Sequence, residues 1–248
     1  MSIFVTGDTH GDFSRLAEGS FQELEGLHKS DCVLICGDFG GVWNGSSAEQ
    51  AALDRLDGRP FTTLFVDGNH ENYDLLARFP LSDWHGGQVR AIRPSVLHLQ
   101  RGQVYEIEGK RFFTMGGASS HDVEDGILEP GSPTFREDCQ CLRAMHARFR
   151  VNHRTWWRQE LPSPAEYRTA REALDRAGWQ VDYIVTHCAP SSIQKALFGD
   201  RPPDPLTDFL EEVRERCGFE CWFFGHYHDD GVIGKNFVLL YEQLIELN

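Results

Sequence analysis

Short apolar runs, each followed by a polar turn, recur along the chain. Five of them are rich in β-branched and aromatic residues and are apolar on both faces, at 2–6, 32–36, 62–66, 181–186 and 220–224. Runs of this length and pattern predict strands that are covered on both sides.

Segments with helical spacing of apolar residues lie between several of these runs. This spacing predicts helices over 13–28 and 47–57, and a further helix over 163–177. The last of these begins with a capping box, in which Ser163 is the N-cap and Glu166 lies three residues later, and a glycine directly follows it. The alternation of strands and helices predicts an α/β fold.

The pattern changes in the middle of the chain. Three short β-rich segments between 96 and 117 are separated by tight turns and predict an antiparallel meander, and a second β-rich stretch covers 232–240. The segment 119–160 is the least regular. We therefore expect a single domain over 1–248, with 119–160 as an insertion or lid.

Each of the five apolar runs ends in a turn that carries potential metal ligands. The turns are GDTHGD at 7–12, GDFGG at 37–41, GNHE at 68–71, THC at 186–188 and GHYH at 225–228. One Gly-Asp pair after a strand is typical of an ordinary turn. Five such turns at the carboxyl ends of strands, where open α/β sheets bind ligands, indicate one functional site.

The residue types in these turns suit a pair of divalent transition metals. Imidazole and carboxylate together favour Zn, Mn or Fe over Ca or Mg. A carboxylate that binds one ion through each oxygen can hold two ions about 3.5–4 Å apart, which can then act together on a phosphate. The sequence therefore predicts two such ions as cofactors.

The five motifs, in this order over residues 8–228, resemble those of the calcineurin-like metallophosphoesterase superfamily. The resemblance implies a β-sandwich of two mixed sheets flanked by helices, in four α/β/β/α layers. It also implies two ligand sets that share a bridging carboxylate: Asp8, His10, Asp38 and His228 for one ion, and Asp38, Asn69, His187 and His226 for the other.

The resemblance further implies a phosphoric ester hydrolase in which a metal-bridging hydroxide attacks phosphorus in line and His70 assists the leaving oxygen. The residues agree, since a histidine next to a ligand lies close to the substrate and has a pKa suited to general acid catalysis. Two alternatives remain open. His70 could be a polar residue at a helix N-terminus, and His226 and His228 could be buried core histidines.

Departures from the family pattern narrow the function. Protein serine/threonine phosphatases of the superfamily have an arginine directly before GNHE and another after the second motif, where this chain has Asp67 and the run GDFGGVW. A standard phosphoprotein phosphatase is therefore not expected. The segments GGASSHD at 116–122 and WWRQE at 156–160 are similar to small bacterial metallophosphoesterases, with a longer connection here.

That connection is basic. Six arginines and two acids lie between 136 and 158, at Arg136, Arg143, Arg148, Arg150, Arg154 and Arg158, whereas the whole chain has a net charge of −14. Guanidinium groups pair with phosphates, so one hypothesis is a lid that contacts substrate. The alternatives are a solvated face paired with acids elsewhere, or an oligomer contact.

Composition limits the partners and the compartment. The acidic charge disfavours general nucleic-acid binding, and we expect a small phosphorylated substrate or a nucleotide. Apolar runs of five residues are too short to cross a membrane, and the first residues lack a basic signal region. Seven cysteines without a C-x-x-C motif predict reduced thiols and a cytoplasmic location.

Several alternatives stay open at this stage. The sequence does not separate a phosphomonoesterase from a phosphodiesterase, nuclease or nucleotide hydrolase, and it leaves the oligomeric state open. Some members of the superfamily are non-catalytic protein-interaction scaffolds. A scaffold is expected to have lost ligands, and this chain retains all of them.

Overall fold

A computed structural model describes residues 1–199 and 202–247 of the chain. Its first sheet has seven strands. In spatial order they are β15 (Leu244–Leu247), β1 (Ile3–Thr6), β2 (Cys32–Ile35), β3 (Thr62–Phe65), β6 (Val96–Leu99), β5 (Gly87–Arg93) and β4 (Leu81–Trp84). The four strands β1, β2, β3 and β6 are parallel, and antiparallel strands flank them on both sides.

The second sheet has six strands and the same arrangement of parallel strands at its centre. In spatial order they are β13 (Gly231–Ile233), β14 (Phe237–Leu239), β12 (Cys221–Phe224), β11 (Tyr183–Thr186), β8 (Lys110–Met115) and β7 (Gln103–Ile107). A separate parallel pair, β9 (Ile127–Leu128) and β10 (Arg150–Val151), lies in the predicted insertion.

Helices cover the outer faces of both sheets. The α-helices are α1 (Ser47–Asp57), α2 (Tyr73–Leu76), α3 (Phe135–Ala144), α4 (Pro164–Arg176), α5 (Ser191–Phe198) and α6 (Pro205–Arg216), and short 3₁₀ helices lie at Ser14–Leu16, Gln22–Leu24 and Arg158–Glu160. One apolar cluster joins the two sheets face to face. Two others pack α1 on the first sheet, and α4 and α6 on the second. These four layers confirm the predicted fold class.

All five apolar runs are strands, and two of the predicted helices are present. The capping box of α4 is complete, because the Ser163 side chain accepts from the Glu166 backbone N–H while the Glu166 carboxylate accepts from the Ser163 N–H. The predicted helix over 13–28 is wrong. Only two 3₁₀ turns form there, and the residues that follow them, Ala17 and Glu25, are extended. Gly19 and Gly26 then adopt positive φ angles of 78° and 77°, which do not continue a helix.

The predicted antiparallel meander over 96–117 is wrong in its first member. Strand β6 is buried on both faces and pairs in the first sheet, parallel to β3 and antiparallel to β5. Only β7 and β8 form an antiparallel hairpin, and they belong to the second sheet. The turn between β6 and β7 therefore crosses from one sheet to the other, which local spacing does not reveal.

Candidate metal centre

The predicted ligand turns lie at one edge of the sandwich, because the strands that precede them run parallel within their sheets. Several ligands hold unusual backbone conformations there. His10, Asp38, His226 and His228 have positive φ angles of 47°, 44°, 71° and 52°. Such conformations are uncommon for residues other than glycine, and they cluster at functional sites. The backbone of these turns is therefore typical of a functional site and not of ordinary turns.

Asp8, His10, Asp38 and His228 form the first group. One ligand atom from each lies within 4.8 Å of all the others. His228 Nε2 is 3.3 Å from Asp8 Oδ2, and His10 Nε2 is 3.0 Å from His228 Nε2. Four nitrogen and oxygen donors converging in this way are suited to one divalent transition-metal ion.

The second group lies on the side of Asp38 Oδ1, whereas the first lies on the side of Oδ2. His187 Nε2 lies 3.3 Å from Asp38 Oδ1 and 3.2 Å from Asn69 Oδ1, and the ring of His226 lies 5.0 Å from that of His187. Asp38 Oδ2 is instead 3.8 Å from His10. The two oxygens of Asp38 therefore face the two groups separately, as a bridging carboxylate requires.

Hydrogen bonds orient these ligands. His187 Nδ1 donates to the carbonyl of Cys36 at 2.8 Å, which leaves Nε2 as the free ring nitrogen toward the centre. The backbone N–H of His70 donates to Asp38 Oδ1 at 2.7 Å, and that of His226 donates to Asp8 Oδ1 at 3.0 Å. Hydrogen bonds within the chain thus orient His187, Asp38 and Asp8.

The electrostatics of the site favour cations. Asp8 and Asp38 are almost completely buried. Burial alone would lower the pKa of His187, but the carboxylates of Asp38 and Asp8 raise it to about 10. Buried carboxylates need nearby positive charge, and divalent ions supply it more fully than one imidazole does. The donor set and its charge therefore fit divalent cations.

His70 lies beside the first group without belonging to it. It is half-buried, and its ring is 5.4 Å from that of His10. Burial lowers its pKa and the charge of Arg150 lowers it further, although Asp38 acts in the opposite direction. The role that the resemblance implies for His70 stays a prediction.

The turn after β8 also reaches the centre. His121 Nε2 is 3.4 Å from His226 Nε2, and the Asn69 side-chain N–H donates to Ser120 Oγ at 3.3 Å. That bond turns the Asn69 oxygen toward His187. From the sequence, this GGASSHD turn was noted for its similarity to small bacterial metallophosphoesterases, but none of its residues was among the predicted site residues. Its place beside β11 in the second sheet brings it to the site.

A buried charged network lies under the third ligand turn. Asp67 stands where the serine/threonine phosphatases have an arginine, and it pairs with the buried Arg101, whose Nε donates to Asp67 Oδ2 at 2.8 Å. His98 Nε2 lies 3.1 Å from the other oxygen of Asp67. Asp67 therefore takes part in internal structure and not in binding phosphate.

Comparisons with known proteins show the family of the chain. The sequence pattern of the calcineurin-like phosphoesterases matches residues 1–230. Lariat debranching enzymes of Drosophila melanogaster, Homo sapiens and Danio rerio are 27%, 28% and 28% identical to the chain, over 92%, 52% and 52% of its length. The aligned parts are 43%, 25% and 24% of those relatives, so the chain spans less than half of their length.

Within the described residues, no helix is both long and apolar enough to span a membrane. The family description agrees with the predicted superfamily and with the predicted enzyme class, a phosphoric ester hydrolase. The chain therefore belongs to the calcineurin-like phosphoesterase family.

Proposed function

We propose that this chain is a phosphodiesterase that depends on two divalent transition-metal ions, Mn, Fe or Zn. The observation that carries the proposal is the position of Asp38, whose two oxygens face two separate groups of ligands. One ion is held by the first group and the other by the second, in the sets that the resemblance implies. When bound, the two ions supply positive charge for the phosphate oxygens and activate water.

The chain's own residues complete the chemistry. His70 carries a proton at the leaving oxygen, beside the ligands but not among them. Asn69 contributes a neutral oxygen, so the ligand set leaves positive charge for the substrate. The intact ligands and His70 argue against the non-catalytic scaffold that remained open from the sequence.

A diester is favoured over a monoester as the substrate. The relatives that cover most of the chain are named as lariat debranching enzymes. Removing a branch from a lariat breaks a phosphodiester bond. The net charge of −14 disfavours long polyanions, so the proposed substrate is a short or locally bound nucleotide diester.

We place residues 1–248 in one domain, with 119–160 as an insertion or lid. All seven cysteines are free, which supports the proposed cytoplasmic location.

The test is a screen of metal-reconstituted protein. Protein loaded with Mn, Fe(II) or Zn is assayed on bis(4-nitrophenyl) phosphate, 4-nitrophenyl phosphate and a phosphopeptide, with Asp38→Asn as the matched control of equal size. We expect kcat/KM to be highest for the diester and to be lost in Asp38→Asn. Faster hydrolysis of the monoester would assign a phosphomonoesterase. No hydrolysis by the loaded protein would return the function to a scaffold.

A further inference from the structure

Two arginines of the insertion, two residues apart, have different surroundings. Arg150 begins β10, which pairs in parallel with β9, and its guanidinium forms an ion pair with Asp122 of the turn after β8. Its side chain is only 19% exposed. Arg148 is 64% exposed and pairs with Glu124 at the surface, 3.2 Å away.

The turn that carries Asp122, the partner of Arg150, contacts the metal centre. Ser120 accepts from Asn69, and His121 lies against His226. Asp122 is the next residue, so Arg150 is paired with the same turn that contacts Asn69 and His226.

The guanidinium of Arg150 is not fully used inside the protein. Of its five N–H groups, Nη2 serves Asp122 and Nη1 donates to the carbonyl of Thr155 at 3.5 Å. Its Nε is buried and has no hydrogen-bond partner among residues 1–199 and 202–247. The side chain is still 19% exposed, so the N–H groups of Nη1 and Nη2 that have no partner in the protein can donate to an external acceptor. A phosphate offers several acceptor oxygens to a guanidinium.

We infer that Arg150 binds a second phosphate group of the substrate, beyond the phosphate that is hydrolysed at the ions. The inference rests on the proposed function. Two bound divalent ions would neutralise much of the charge of the reacting phosphate, which leaves the guanidinium of Arg150 for another phosphate of the substrate. The substrate class is then a phosphodiester that carries a further phosphate, as a nucleotide chain does.

The test uses two chromogenic diesters that release the same nitrophenolate. One is the 4-nitrophenyl ester of thymidine 5′-phosphate, and the other carries an additional 3′-phosphate. We expect the wild-type protein to prefer the second, and Arg150→Gln to lower kcat/KM for it by about 10–100-fold, with less than about threefold loss on the first. The preference should weaken from 0.1 to 1 M salt because of screening.

Two further variants separate binding from structure. Arg148→Gln, the matched control, should leave both substrates unchanged. Asp122→Asn removes the carboxylate that competes with phosphate for Arg150, so the preference should stay or increase. If Arg150 only fastens the insertion, Asp122→Asn will impair both substrates as Arg150→Gln does, and the inference is wrong.

Equilibrium binding gives a readout that does not depend on turnover. Calorimetry with metal-loaded protein should show tighter binding of thymidine 3′,5′-bisphosphate than of thymidine 5′-phosphate, and Arg150→Gln should abolish the difference. Equal binding of the two by the wild-type protein would overturn the inference. Failure of the wild-type protein to hydrolyse either diester would instead contradict the proposed function.

Discussion

Glycines beside the ligands let side chains approach the backbone more closely than any other residue would allow. A Cβ on Gly68 would overlap Asp38 Oδ1, and a Cβ on Gly225 would overlap Asp8 Oδ1. Gly37 is restricted twice, because its φ is 95° and a Cβ there would overlap the ring of His187. The glycines of the motifs therefore shape the ligand groups although they bind nothing themselves.

Substituting Gly68 tests this role. Gly68→Ala should displace the Asp38 carboxylate and weaken binding of both ions by about 10–100-fold, the usual cost of disturbing a residue that orients a ligand. The measurement is a metal titration against a chelator. Gly231→Ala is the control, because a Cβ there would meet no atom within 4 Å. Unchanged metal affinity in Gly68→Ala would contradict the role.

The proposed proton donor can be separated from the metal ligands. His70→Ala should retain nearly full metal content and lower kcat by about 10²–10⁴-fold, the usual range for a general acid. The loss should be smaller for a nitrophenolate leaving group, which needs little protonation, than for an alkoxide. Equal losses on both leaving groups would assign His70 to positioning or charge stabilisation.

Between elements, the buried pair of Asp67 and Arg101 connects parts of the chain that are distant in sequence. Arg101 follows β6, Asp67 follows β3, and the Arg101 guanidinium also donates to the carbonyl of Gln159 at 2.8 Å. The pair thereby ties the third ligand turn to the end of the insertion. The end of the segment 119–160 is thereby attached to the buried pair.

Breaking this pair should be costly because one charge would remain buried alone. Arg101→Met should lower the free energy of unfolding by about 3–5 kcal/mol, measured by urea denaturation. Arg148→Met is the control at a surface pair, since Arg148 and its partner Glu124 are both mostly exposed, and should cost about 0–1 kcal/mol. The double variant with Asp67→Asn should recover part of the loss. A loss for Arg101→Met no larger than the control would contradict this argument.

For the whole molecule, metal binding and stability are linked, because ions that bind the folded ligand groups stabilise the folded state. The two ligand groups predict two ions per chain by elemental analysis of reconstituted protein. Asp38→Asn should weaken both sites, whereas His228→Ala should affect only the first. Two ions, each present at 100 times its Kd, stabilise the folded state by about 5.4 kcal/mol, so chelation should lower Tm by about 10–20 °C. One ion per chain, or a Tm that chelator does not change, would contradict the two-ion site.

Local sequence patterns correctly predicted the five ligand strands, α1, α4 and its capping box, and the order of the ligand motifs. These depend on local patterns, because strand alternation, helix caps and glycine turns act over a few residues. The family could be recognised for the same reason, since its motifs are short and keep their order along the chain.

Contacts between residues that are distant along the chain became known from the tertiary structure alone. β6 pairs in the first sheet while β7 and β8 pair in the second, and this brings Ser120 and His121 to the site. The separation of Arg150 from Arg148 follows from the pairing of β9 with β10. Charge counts treat these arginines alike, because contacts between segments depend on packing and burial, which one-dimensional spacing does not encode.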